Sequence, residues 1–163
     1  MPWLKPTLFI DADACPVVRE ALDVARKAHV PCVLAGNATQ NLERHVRASD
    51  PREPRQDFWV RINQVGIGAD SADFAIVSEL EQGDVVVTQD IGLASMVLGR
   101  GARAIDVRGR RFDPVTIDAM LFIRHEEKKV RRAGGRTKGP APFTSEDRRR
   151  FSRSLKELLS ERS

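Results

Sequence analysis

Short runs of apolar, often β-branched residues that close on a carboxylate constrain this chain more than any other feature. Thr7-Leu8-Phe9-Ile10 leads into Asp11-Ala12-Asp13, and Val85-Val86-Val87 leads through Thr88-Gln89 into Asp90; Asp70 and Asp73 stand together in Gly68-Ala69-Asp70-Ser71-Ala72-Asp73. An apolar run of this length, without polar alternation, reads as a strand buried on both faces, the kind found in parallel sheets covered by helices. Helical stripes separate the runs. Val17, Val18, Ala21, Leu22 and Ala25 follow Pro16; Phe74, Ala75, Val77 and Leu80 precede Gly83; Leu93, Ala94, Val97 and Leu98 precede Gly99. Val30–Ala35, a short edge strand Phe58–Ile62 and Ala104–Val107 complete the strands, with a surface loop over 47–57. The alternation predicts an α/β fold with a mainly parallel sheet and right-handed crossovers.

Charge divides the chain unevenly. Residues 1–123 hold 14 Lys and Arg against 17 Asp and Glu, a formal −3, whereas residues 124–163 hold 13 against 6, a formal +7. We therefore expect one α/β domain over 1–123 and a basic helix-loop-helix tail over 124–163. Its elements are a helix from Val115 to Arg132, the loop Gly134–Pro140 and a final helix capped by Thr144 or Ser145. Phe151, Leu155, Leu158 and Leu159 form the buried face by which that last helix packs back on the domain. A basic segment on an acidic domain suits a polyanionic partner, and RNA is the partner expected. No apolar stretch is long enough to span a bilayer, and the start Met1–Lys5 lacks the pattern of a signal peptide, so a cytoplasmic location with Cys15 and Cys32 reduced is expected.

Parallel strands deliver their last residues to one edge, so the aspartates meet there, and unpaired like charges at close range are costly without a cation. Taken singly, Asp13, Asp70 and Asp90 each read as a helix N-cap, Asp70 with Asp73 as its capping box. A helix needs one cap, however, and these clusters carry more. The surplus points to a site for Mg²⁺ or Mn²⁺ formed by Asp11, Asp13, Asp70, Asp73 and Asp90, since zinc would recruit His or Cys. His29, His45 and His125 read as surface residues, and Cys15 as a packed side chain. Asn37, beyond the second strand, joins the same edge. Arg136 and Lys138 in the glycine-rich loop, with Arg148 and Arg149 on the last helix, are the candidates for binding phosphates.

Asp11-Ala12-Asp13-Ala14-Cys15-Pro16-Val17, Ala72-Asp73, Thr88-Gln89-Asp90 and Gly134-Gly135-Arg136-Thr137-Lys138-Gly139-Pro140 resemble the bacterial YaiI/YqxD family from Ile10 to Leu159. That family is regarded as similar to PIN-like nucleases. The resemblance implies a three-layer α/β/α sandwich and metal-dependent ribonuclease chemistry, with Asp11, Asp73 and Asp90 as the catalytic acids. A further Glu that such domains carry on a middle helix has Asn37 and Glu43 as its candidates here. Two other readings share these residues: a non-catalytic RNA-binding or adaptor protein of PIN-like fold, and a haloacid-dehalogenase-like phosphatase opening on Phe9–Asp13, with Gly83-Asp84 as its acidic motif.

Overall fold

Alternation of strand and helix runs through most of the protein. The computed structural model describes residues 5–37, 39–54, 57–66, 71–137, 139 and 141–161. In chain order the elements are β1 (Leu8–Asp11), α1 (Val18–Ala28), β2 (Cys32–Asn37), a 3₁₀ turn (Leu42–His45), β3 (Val60–Val65), α2 (Ser71–Glu79), β4 (Val85–Val87), α3 (Ile91–Gly99), β5 (Arg103–Ile105), α4 (Ile117–Arg132) and α5 (Ser145–Ser160). Asp70 and Lys138, both expected in the site, lie outside the described residues.

The five strands are all parallel, in the order β3-β2-β1-β4-β5. β1 is central: Phe9 pairs with Val33 on one side and Val86 on the other. Because side chains alternate across a strand, the sheet feeds two cores. Leu8, Ile10, Leu34, Val85 and Val87 pack with α1 and α5, whereas Phe9, Val33, Ala35, Val86 and Ala104 pack with α2, α3 and the start of α4. The result is a three-layer α/β/α arrangement, as expected.

Three details differ from the expectation. β3 is an edge strand but has six residues, as many as β2; its second half carries half-buried Asn63 and exposed Gln64, so an apolar run does not reveal it. α1 begins at Val18 rather than Pro16: Ala14 takes a left-handed backbone (φ 53°), and Val17, directly before the helix, is still outside the helical region (φ −119°, ψ 25°). β5 covers Arg103–Ile105 rather than Ala104–Val107; beyond it α4, which runs across 123/124, joins the α3 side, and α5 crosses to the α1 side. Between them the turn Asp106–Arg110 lies against α5. Gly109 has φ 89° there, and a Cβ would come within 2.8 Å of the Arg150 carbonyl oxygen.

Polar ties hold the α5 side. Thr144 and Asp147 form a capping box, Arg108 bonds Asp147 at 2.8 Å, and Arg103 donates to the carbonyls of Leu158 and Gly83. Among the described residues no helix is long and apolar enough to cross a membrane.

Candidate active site at the carboxyl edge of the sheet

From β1 the chain builds outward to β2 and β3 on one side, then returns to place β4 and β5 on the other. That reversal makes the carboxyl ends of β1 and β4 a topological switch point, outside which open parallel sheets have the crevice that takes ligands. Asp11 is the last residue of β1, and Thr88 follows β4 directly. Their side chains span the crevice: the Thr88 hydroxyl donates to Asp11 Oδ2 at 2.8 Å, and Thr88 Oγ1 accepts from the Asp90 N–H at 3.0 Å. Asp11 is only 6% exposed and Thr88 1%. The other carboxylate oxygen, Oδ1, receives just a long 3.4 Å contact from the Asp13 N–H.

Burial pushes the Asp11 carboxyl above its ordinary range. The Thr88 and Asp13 hydrogen bonds oppose that rise, and the nearby carboxylates of Asp13 and Asp90 reinforce it. Asp13 caps nothing: the residue before α1 is Val17, which makes no side-chain cap bond, and Asp13 is exposed. Asp90 does act as a cap. Its Oδ1 accepts from Gly92 N at 2.8 Å and Leu93 N at 3.2 Å, and Arg124 of α4 reaches the same oxygen at 3.4 Å. Gly92 gives this junction room, since a Cβ would lie 3.1 Å from Asp90 Oδ1 and 3.3 Å from Arg124 Nη1.

Asp73 is half-buried in the first turn of α2. Among the described residues no three His, Cys, Asp or Glu side chains converge closely enough to hold one ion. The donor chemistry nonetheless fits a hard cation. Mg²⁺ commonly takes one or two carboxylates and completes its shell with waters and substrate phosphate, and carboxylate oxygens are the donors at this edge.

Asn37 ends β2 on the same edge, but its Oδ1 accepts from the Thr39 N–H at 2.9 Å and from the Thr39 hydroxyl, an Asx-type turn. Beside it an open pocket of about 600 Å³ is lined by Ala12, Ala14, Cys15, Gln40, Arg44 and His45. Burial, chiefly, pushes the Cys15 thiol up to about 11, with Asp11 and Glu20 adding to the effect, so it is no nucleophile near neutral pH.

The expected phosphate contacts separate. Arg148 Nη1 donates to the Pro16 carbonyl at 2.6 Å and to Glu20 at 2.8 Å, and its guanidinium lies 5.1 Å from the Phe143 ring; it clamps α5 to α1. Arg149 is exposed and paired with Glu146 one turn away. Arg136 is exposed, in an arm where every residue from Lys128 to Arg136 faces solvent. The phosphatase reading fails on position. Asp84 precedes β4, at the opposite edge from Asp11, where it accepts from the Thr7 and Glu81 N–H groups at 2.9 Å each.

Two residues of the crevice escape a sequence reading. Thr88 stands inside the Thr-x-Asp run, directly after the apolar Val85-Val86-Val87, and that position at a strand end is its available signal. Arg124 is one cation of a basic helix, and nothing in the order of residues distinguishes it.

A family model described as "Uncharacterized BCR, YaiI/YqxD family" matches residues 9–161. The chain is similar to the UPF0178 protein of Clostridium acetobutylicum, 40% identical over 93% of this chain and 95% of that one. It is also similar to UPF0178 proteins of Heliobacterium modesticaldum, 41% identical over 94% and 97%, and Bacillus velezensis, 38% identical over 96% and 86%. No solved structure matches it.

Proposed function

The chain belongs to the YaiI/YqxD family, and from that premise we propose that it hydrolyses RNA phosphodiester bonds with Mg²⁺ or Mn²⁺ at the crevice between β1 and β4. One observation carries the reading. Asp11 is a buried carboxylate held on Oδ2 by Thr88, weakly contacted on Oδ1, and set in the field of two further acids, of which Asp90 is touched by a cation, Arg124, at 3.4 Å. Such an arrangement is unfavourable by itself and becomes favourable when a divalent cation is bound. Asp11, Asp13 and Asp90 are the residues to hold it, with Asp73, and with Asp70 from the segment outside the described residues. A divalent ion supplies Lewis acidity toward a phosphoryl oxygen and lowers the pKa of water.

The chain's own residues then have distinct tasks. Asp11 Oδ1 is the oxygen open to a ligand or to a proton from water, while Thr88 fixes the orientation of the carboxylate. Asp90 commits Oδ1 to the cap, so that Oδ2 is the oxygen it would offer a ligand, and Arg124 partly offsets its charge. The solvent-facing arm with Lys128, Arg131, Arg132 and Arg136 draws the polyanion, a role that passes from Arg148 to these cations.

End-labelled single-stranded RNA incubated with the protein and Mg²⁺ or Mn²⁺ tests the reading. Cleavage should fall by about a hundredfold or more in Asp11→Asn, with an unchanged circular dichroism spectrum. Cleavage that survives in Asp11→Asn refutes the site. RNA retained with a steep salt dependence, but never cut by the wild type, selects the non-catalytic binding protein instead.

A further inference from the structure

α4 has two unlike faces. Ile117 is buried against the α3 side and Met120 packs there too, whereas Phe122 is 64% and Ile123 55% exposed. At about 100° per residue, Ala119, Phe122, Ile123, Glu126 and Val130 fall on one solvent-facing stripe, four of them apolar. Val115, just before the helix, is more exposed still. Glu126, the charge on the stripe, bonds Lys129 at its margin (3.4 Å).

Charge placement indicates what covers this face. Asp118 and Lys129 are eleven residues apart, close to three full turns, so both lie on the same flank of the stripe, about 16 Å apart along the axis. A two-fold axis perpendicular to a pair of antiparallel helices sets each flank against its own reversed copy. Centred between Ile123 and Arg124, that operation brings Asp118 of each helix to Lys129 of the other, both pairs closing together around the apolar residues. We propose that the protein is a homodimer formed by antiparallel pairing of α4, with Phe122 and Ile123 at the centre and reciprocal Asp118–Lys129 ion pairs at the ends. An apolar centre carrying a glutamate fits a second copy of this chain and not a polyanion. The proposal does not depend on hydrolysis. It does bear on the crevice, because Arg124, the residue that reaches Asp90, adjoins Ile123 and is held in place by whatever fixes α4.

Sedimentation equilibrium on the full chain decides it. The wild type should be dimeric at about 100 µM, and Phe122→Asp with Ile123→Asp should be monomeric with unchanged helical content. Asp118→Lys or Lys129→Asp alone should raise the dimer dissociation constant by about tenfold or more, while the double exchange returns it to within about threefold of wild type. A monomeric wild type, a dimer indifferent to Phe122→Asp, or a double exchange no better than the single ones overturns the proposal. So does a dimer that exists only with bound RNA and dissociates on nuclease treatment.

Discussion

The two helical layers of this protein are built on opposite plans. The layer of α1 and α5 is closed: Phe151, Leu155 and Leu158 are buried, and three arginines tie it down, Arg26 to Asp50, Arg108 of the adjoining turn to Asp147, and Arg148 to Glu20 and the Pro16 carbonyl. The layer of α2, α3 and α4 is open. Among the described residues every large hydrophobic side chain that stands exposed belongs to it or to the turn before α4: Phe74, Met96, Val115, Phe122, Ile123 and Val130. The difference teaches that the basic character of the last forty residues is not one property. On α5 Arg148 serves packing and Arg149 and Arg150 pair within their own helix, whereas on α4 the cations face solvent or reach Asp90.

Truncating one aromatic in each layer gives the largest contrast. Phe151→Ala removes a fully buried ring from the junction of α5, α1 and the sheet and should cost about 4 kcal/mol of unfolding free energy. Phe122→Ala, on the exposed stripe, should change the stability of the monomer by less than about 0.5 kcal/mol. Urea denaturation at low protein concentration reads both; similar losses in the two variants would remove the distinction between layers.

An intermediate effect belongs to Asp50, which anchors the connection from the 3₁₀ turn to β3. Its carboxylate receives Arg26 Nε and Nη2 at 2.8 Å each and the Arg47 N–H at 2.9 Å. Burial alone would raise its pKa, but the guanidinium and the backbone donor outweigh that and hold it below the ordinary 3.8. Asp50→Asn should therefore cost about 2 kcal/mol near neutral pH. With a folded pKa below the unfolded one, the stabilisation is complete above the unfolded value and is lost as pH falls through the lowered one. The gap between wild type and Asp50→Asn, followed by thermal melts from pH 6 downward, should narrow only in that acid range. A gap that instead widens on acidification would show that the ion pair is not its source.

Much of this architecture is legible before the structure, for identifiable reasons. Val85–Val87 and Leu8–Ile10 are continuous apolar runs because they are buried on both faces, and the stripe Val18-Ala21-Leu22-Ala25 announces α1 because only one of its faces is covered. Strand order leaves no such trace. The switch point between β1 and β4, which makes Asp11 and Thr88 neighbours across 77 residues, follows from long-range pairing. Charge runs are opaque in a similar way. Arg148-Arg149-Arg150 reads as a phosphate-binding face, yet Glu20, Glu146 and Asp147 satisfy all three, and two of those partners lie within one turn. Asp90 reads both as a cap and as a site acid, and the structure gives it the cap while leaving it beside Asp11.

The smallest effect on stability is also the sharpest comparison, between Arg148 in the closed layer and Arg124 in the open one. Arg148→Ala should lower the melting temperature and leave the crevice untouched, because its partners are Pro16 and Glu20 and the Phe143 ring. Arg124→Ala breaks only a long, solvent-screened contact to Asp90, so the melting temperature should hardly move. Its consequence lies in charge. Removing the cation from beside Asp90 makes that carboxylate's surroundings more negative, and a divalent ion should then bind about three- to tenfold more tightly. Titration with Mn²⁺ followed by calorimetry measures this directly in both variants. Tighter binding in Arg124→Ala but not in Arg148→Ala places the Asp90 carboxylate within the field of the cation. Weaker binding would mean that Arg124 orders the site rather than competing for it, and the acids of β1 and β4 would then no longer be explained as a cation site.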